Sequence, residues 1–423
     1  MNKRLCTPFL ALSLSLLCLG RLEAEIYPLR VEISAGQIDR QQTPVCVLVE
    51  IPESLDKVVA VPFADSDLIG QLTAPGLASG QVEAAGKGMM VRELHLIVPK
   101  LAAGKTLSLK AIVSDDAPAA APVFHWQDTA GRYSELSFDG RPTLRYMYEK
   151  LDDSSPDRRM ETYKPYHHVY DPAGKRFVTK GPGGLFPHHR GLFYGFNKIR
   201  YGDGQTADVW HCRQGESQSH EKLLSQEAGP VLGRHRVAIA WRGKDGETFA
   251  EEQREMTVYN TPGGQTIDFA SRLESTVGEV QLDGDPQHAG FQFRASQDVP
   301  DKTKNLTYYL RPDGQGKPGQ FRNWPQDKSQ VNLAWNALSF VLDDQRYTCC
   351  YLDRPQNPKE ARFSERDYGR FGSYFEYTLT ESNPLNLRYR IWLQKGEMTV
   401  DGVNRLSRDF INPPGVEPAV AGK

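Results

Sequence analysis

Glu251-Glu252-Gln253-Arg254-Glu255-Met256-Thr257-Val258-Tyr259, a break at Gly263-Gly264, then Thr266-Ile267-Asp268-Phe269-Ala270-Ser271-Arg272-Leu273-Glu274: these two runs decide the fold of the chain. Each is longer than a strand of a small sandwich, and a glycine pair between two such runs is a turn signal. The same rhythm starts at Val123-Phe124-His125-Trp126, passes through 144–148 and 236–241, and continues at 291–295, 338–342, 347–352 and 387–393, with Asp343-Asp344 marking a further turn. Such a series predicts a large antiparallel β-sandwich. Alternation within the first run puts Glu252 and Arg254 on one face with Met256, and Glu251, Gln253 and Glu255 on the other.

Working outward, shorter alternating runs at 29–33, 45–51, 58–62, 91–98 and 107–113 predict a small Ig-like β-sandwich over residues 25–114. Residues 115–122, rich in Ala and Pro, are read as a linker, 123–412 as the large sandwich domain, and 413–423 as a tail. The fold class is therefore mostly β, and the 18 Tyr, 18 Phe, 37 Gly and 28 Pro suit short strands and many turns. Val403, Leu406 and Phe410 recur at helical spacing behind Asp401, which predicts one short C-terminal helix capped there.

Residues 1–24 combine a basic start, Lys3-Arg4, with an apolar run from Phe9 to Leu19 and a Leu22-Glu23-Ala24 end. The run is too short for a bilayer span, so it is read as a cleaved signal peptide, which predicts an exported, periplasmic or secreted protein with no membrane span after cleavage. Without Lys3, Arg4, Arg21 and Glu23, the charge is −4, from 48 basic and 52 acidic side chains. That balance gives no electrostatic case for nucleic acid as a partner. Cys46, Cys212, Cys349 and Cys350 match neither a zinc motif nor a disulfide framework and are read as small buried hydrophobes.

Chemistry concentrates in Gly183-Gly184-Leu185-Phe186-Pro187-His188-His189-Arg190-Gly191-Leu192-Phe193-Tyr194-Gly195, followed by Asp208, Trp210, His211 and His220. Adjacent side chains of a strand face opposite ways, so His188 and His189 can serve one site only from a turn after Pro187. Histidine titrates close to neutral pH, which makes either of the pair an acid or base candidate. His167 and His168, beside a turn, are expected at the surface, and His235 in packing. A metal reading would draw on His188 or His189 with His211, His220 and Asp208; the spacing matches no fixed zinc signature, so no metal or other cofactor is assigned. Glu252 is a carboxylate candidate beside Arg254, and a ring- and arginine-rich segment, 362–375, supplies Glu365, Arg366 and Tyr368 for a loop over a polar ligand.

At His188-His189-Arg190-Gly191, Asp208-Val209-Trp210 and His220, with the later Asp285-Pro286-Gln287-His288-Ala289-Gly290-Phe291 and Asn383-Pro384-Leu385, the chain resembles the bacterial PmoA-like family, also labelled "methane oxygenase PmoA". Resemblance covers roughly residues 123–412. It implies a β-sandwich protein of bacteria that degrade complex carbohydrates. Methane chemistry is not carried over, because it belongs to membrane-spanning helices that this chain lacks after its leader. The large sandwich is also broadly similar to the galactose mutarotase type, in which histidines and a carboxylate act on a sugar ring.

The resulting expectation is an exported carbohydrate-active protein, a lyase, hydrolase or epimerase, that acts on a small-molecule or oligosaccharide ligand. His188, His189, Arg190, Glu252 and Glu365 are its catalytic candidates; Tyr194, Asp208, Trp210, His220, His288, Arg366 and Tyr368 are its substrate-binding candidates. The alternatives are a non-catalytic sugar-binding protein and a metal-dependent oxidase. No oligomeric state is read from the sequence.

Overall fold

Two hydrophobic cores organise the chain, each closed by antiparallel strands. The computed structural model describes residues 25–116, 122–285 and 287–420; residues 1–24, read from the sequence as a signal peptide, and 117–121, within the segment read as a linker, lie outside the described residues. The smaller core holds Val31, Ile33, Val45, Val47, Val49, Ile51, Leu94, Leu96 and Val113. These come from a seven-stranded sheet ordered Arg40–Pro52, Met89–Leu101, Ser66–Thr73, Ala60–Phe63, Thr106–Ser114, Ile26–Ser34 and Gly415–Val420. Arg40–Pro52 shows why it is a strand: Val45, Val47, Val49 and Ile51 alternate inward between exposed neighbours.

The last strand corrects the reading of 413–423 as a tail. Gly415–Val420 pairs antiparallel with Ile26–Ser34, with Val31 opposite Pro418. An open edge leaves a row of backbone donors and acceptors without partners, and the C-terminal segment covers it.

The larger core lies between an eight-stranded and a nine-stranded sheet. The first is ordered Arg362–Arg366, Arg370–Tyr374, Ala289–Arg294, Leu192–Phe196, Tyr166–Val169, Arg141–Met147, Tyr133–Phe138 and Phe124–Thr129. At the centre of the second, Thr248–Tyr259 pairs with Gln265–Ser275 in unbroken register from Ala250 opposite Ser275 to Tyr259 opposite Thr266. These are the two long runs that the Gly263-Gly264 turn divides. Trp241, Met256, Ile267 and Phe269 from this sheet meet Leu136, Leu144, Tyr194 and Phe291 from the other. The mostly β fold class expected from the sequence is the one observed. A four-stranded sheet of Gln205–Ala207, Lys198–Tyr201, Val280–Asp283 and Tyr377–Leu379 stands beside the sandwich.

Glu252, Arg254 and Met256 share a buried face, as alternation requires, but the opposite face is not wholly solvated. Glu255 on that side accepts from the Leu77 backbone N–H of the smaller module and from Arg236. Helix Val400–Ile411 packs Val403 and Phe410 against Trp335 and Trp392, and its cap is Thr399, whose hydroxyl accepts from Gly402 N at 3.1 Å, rather than Asp401. Pro156–Thr162 is a second helix, absent from the sequence reading, with Ser155 as N-cap and Pro156 in its first turn. Among the described residues no helix is long and apolar enough to cross a membrane.

Buried polar contacts join the two modules. Arg234 reaches Glu93 at 2.7 Å, and the Gln71 side-chain Oε1 accepts from Val231 N and Leu232 N, each at 2.9 Å. Burial alone would raise the Glu93 carboxyl; His95, Arg234 and Ser79 outweigh it and hold the group well below the ordinary carboxylate range. A folded-state value below the unfolded one stabilises above the unfolded value, about 4.3, and that stabilisation is lost as pH falls below it. Thermal unfolding against pH should therefore show stability declining in acid, and Glu93→Gln should be less stable than wild type at neutral pH with a flatter acid limb. An unchanged acid limb in Glu93→Gln would contradict this assignment.

Candidate functional site

Strand Leu192–Phe196 decides where the site lies. Leu192, Tyr194 and Phe196 point into the core between the sheets, while Phe193 points to the outer face of the eight-stranded sheet, against Tyr166 and Trp210. Turns 181–190 and 208–212, with Asp285 and residues 287–288, are laid over that outer face. Two glycines permit the close packing beneath them. Gly191 has φ +54°, and a Cβ there would lie 2.0 Å from the His167 carbonyl oxygen; Gly290 has φ +85°, with Ser373 O at 1.9 Å.

His188 and His189 sit in a turn after Pro187, with His189 N donating to Phe186 O at 2.9 Å. Their rings are 4.2 Å apart, edge to face. His211 lies 4.5 Å from His188 between ring centroids, and His288 lies 4.9 Å from His211. One nitrogen each of His188, His211 and His288 fall within 4.8 Å of one another. His188 is buried; His211 and His288 are half-buried at the opening. Trp210 packs edge-on to His189 and His288, and Phe186, 40 % exposed, stands 5.1 Å from Tyr368 to form an aromatic wall.

Two of the rings are held the same way. Asp208 accepts from His211 Nδ1 at 2.7 Å and from the backbone N–H groups of Trp210 and His211; Asp285 accepts from His288 Nδ1 at 2.8 Å and from Gln287 N at 2.9 Å. Each aspartate thus closes a turn on its own backbone and grips the imidazole three residues later. With the proton on Nδ1, Nε2 carries the lone pair. Asn197 supports the second pair through Asp285 at 3.1 Å. Burial would raise the Asp285 carboxyl, but His288, Gln287 N–H and Asn197 together lower it to about 2.

His188 and His189 have no such partner. His188 Nε2 and both nitrogens of His189 are buried without a hydrogen-bond partner, as is Trp210 Nε1. Burial keeps both imidazoles neutral, far below their ordinary value, with Lys164, His211, His288 and Arg213 adding to the effect at His188. The Lys164 ammonium is directed at the carbonyls of Val209 and Trp210, and burial lowers it to about 8. Lys180 donates to Gly181, Phe186 and His189 carbonyls, which fixes the turn that carries the histidine pair. A cavity of about 480 Å³, lined by Lys198, Arg200, Asp208, Arg213 and Lys244, adjoins the cluster at Asp208. A second, about 380 Å³, lies at the junction of the modules, where Arg390–Asp268, Arg234–Glu93 and Arg40–Asp409 are already paired.

Of the residues singled out from the sequence, His188, His189, Asp208, Trp210, His288 and Tyr368 are brought together. Arg190 is in the same turn, but its guanidinium turns away: it lies over Tyr163 and donates to the carbonyls of Met160, Glu161 and Pro187. Glu252 is in the sandwich core, its oxygens filled by Arg254, Trp241 Nε1 and Ser271. Glu365 crosses between the sheets to Arg311 and Asn336. Neither carboxylate reaches an imidazole of the cluster, because both are consumed in holding the sheets. Tyr194 faces the core against Trp241, and His220 bonds Tyr146 on another strand. Arg366 donates to Asn323 and to its own neighbour's carbonyl. His167 and His168, expected at the surface, are buried: His167 bonds His235 across the sheets at 3.0 Å, and His168 stacks on Phe177.

Asp285 and Phe193 lie in segments that the sequence marks as site-forming but are given no role of their own there, and His211 is only one member of a ligand pool. A signal existed: Asp-x-x-His occurs at 208–211 and again at 285–288.

The profile of a family of unknown function, DUF6807, matches residues 133–408. The chain belongs to that family. The matched span of DUF6807 runs from strand Tyr133–Phe138 into helix Val400–Ile411, so it contains all four cluster imidazoles and leaves out the smaller module's first six strands. No curated protein matches the chain. Among solved structures it is similar to an alpha-mannosidase from Enterococcus faecalis V583, at 10 % identity over 93 % of this chain and 46 % of that one, with a TM-score of 0.47. A glycosyl hydrolase family 38 protein from Enterococcus faecalis gives 9 %, 93 %, 47 % and 0.47, and the GH36 alpha-galactosidase AgaA from Geobacillus stearothermophilus gives 11 %, 66 %, 41 % and 0.31. The DUF6807 chain spans less than half the length of each.

Gly191→Ala tests the floor of the site: a Cβ at that positive φ meets the His167 carbonyl, so urea unfolding should show a loss of more than about 1 kcal/mol. A variant as stable as wild type would show that the turn is not fixed by this approach.

Proposed function

We propose that this protein acts on a small hydroxyl-rich molecule, a sugar or glycoside, at the cluster of His188, His211 and His288, in a lyase, hydrolase or epimerase type of reaction, and that it does so outside the cytoplasm, as the leader at 1–24 implies. The observation that carries the reading is the pair of aspartate-held imidazoles. A ring whose Nδ1–H is held by a carboxylate offers Nε2 as a strengthened Lewis base, and two such rings stand 4.9 Å apart beside an unsatisfied third. The Phe186 and Tyr368 rings offer apolar faces of the kind that pack against the C–H face of a sugar, and the polar cavity at Asp208 gives its hydroxyls partners. Glu252 and Glu365 take no part, since their oxygens are already bonded.

The test is a screen of the purified protein against glycosides and oxidised keto-glycosides, read by mass spectrometry, with His211→Ala and His288→Ala in parallel. Turnover should fall by at least about 100-fold in each variant, with little change in Tm because both rings are half-buried. Turnover intact in both variants would remove the cluster from the reaction.

A further inference from the structure

We propose that His188, His211 and His288 together hold one divalent transition-metal ion of the zinc class, with one nitrogen from each ring and a coordination position left open. This rests on the site proposed above and names the cofactor through which that site would act on a sugar oxygen.

Three observations lead to it. The rings come from three separate turns, yet one nitrogen of each falls within 4.8 Å of the others. A tetrahedral ion with nitrogen ligands at about 2.0–2.1 Å places them about 3.4 Å apart, so an inward movement of about 1 Å completes the site. His211 and His288 are half-buried on turns, where such movement meets little packing.

The second is the repeated aspartate grip. Asp208 and Asp285 occupy Nδ1 of His211 and His288 at 2.7 and 2.8 Å, which fixes the tautomer that leaves Nε2 free to ligate. A carboxylate behind a histidine is the common way a protein orients a metal ligand and raises its basicity. Two carboxylates also balance a divalent charge. Of the two cations that act on His188, Lys164 and Arg213, Lys164 spends its ammonium on the carbonyls of Val209 and Trp210.

The third is His188 Nε2, buried with no partner. A buried polar nitrogen left without a partner costs about 1–3 kcal/mol, which ligation through its lone pair would recover. All-imidazole ligation selects zinc, copper, nickel or iron over calcium and magnesium, which require oxygen ligands. Such an ion polarises a bound oxygen and lowers the pKa of bound water.

The experiment uses the full chain, stripped with a chelator and titrated with Zn²⁺ and Co²⁺, read by elemental analysis, by calorimetry and by the visible absorption of Co²⁺. One equivalent should bind per chain. His211→Ala and His288→Ala should each weaken binding at least 100-fold, and Asp285→Asn about 10–100-fold, while His125→Ala, an exposed histidine on strand Phe124–Thr129, should bind as wild type does. Tm measured without metal shows that each variant is folded. No stoichiometric ion, or equal affinity in the His211, His288 and His125 variants, would overturn the proposal. Because binding is read without substrate, the two readings fail separately: metal-free protein that turns over glycosides at the full rate removes the ion and keeps the sugar reading, whereas one bound ion with no glycoside turnover supports the ion and counts against the sugar reading.

Discussion

Everything at the site depends on one geometric constraint, that successive residues of a strand face opposite sides of the sheet. In Leu192–Phe196 this sends Tyr194 into the core between the sheets and Phe193 outward under Trp210. The sandwich can then be sealed on one side while the other becomes a floor for three turns. Gly191 and Gly290 let those turns and the next strand approach more closely than any side chain would allow. The imidazoles reach one another because the floor brings together turns that are far apart in sequence.

A second consequence is the division of the ionisable groups. Glu252 with Arg254, Glu365 with Arg311 and Glu93 with Arg234 are buried and bonded to capacity: the first, through Trp241 and Ser271, ties its strand to both neighbours, the second joins sheet to sheet and the third module to module. Removing one partner of such a pair typically costs 3–5 kcal/mol, because the other charge stays buried. Asp208 and Asp285 differ: each closes a local turn and also holds an imidazole that opens outward. Structural carboxylates and site carboxylates are thus told apart by their partners, guanidinium groups for the first and imidazoles for the second.

Long alternating runs made the large sandwich legible in the sequence, and Pro187 made the histidine turn legible. Pairing at a distance was not. That Gly415–Val420 closes the smaller module's edge follows from an open strand some 380 residues earlier, which no local pattern encodes. The facing of Arg190 and Tyr194 was lost for a related reason: types alone suggested a site, and only the register of the neighbouring strands says which side of the sheet each side chain takes. The Asp-x-x-His repeat was visible but unread, since three-residue spacing outside a helix carries no geometry until the turn is seen.

Aspartate fixes two imidazoles with the proton on Nδ1 and the lone pair on Nε2. Long-range ¹H–¹⁵N NMR of the metal-free protein at neutral pH reads the tautomer of each ring directly. The account predicts the proton of His211 and of His288 on Nδ1, and a change at His211 alone on Asp208→Asn. Protons on Nε2 of both rings would contradict it.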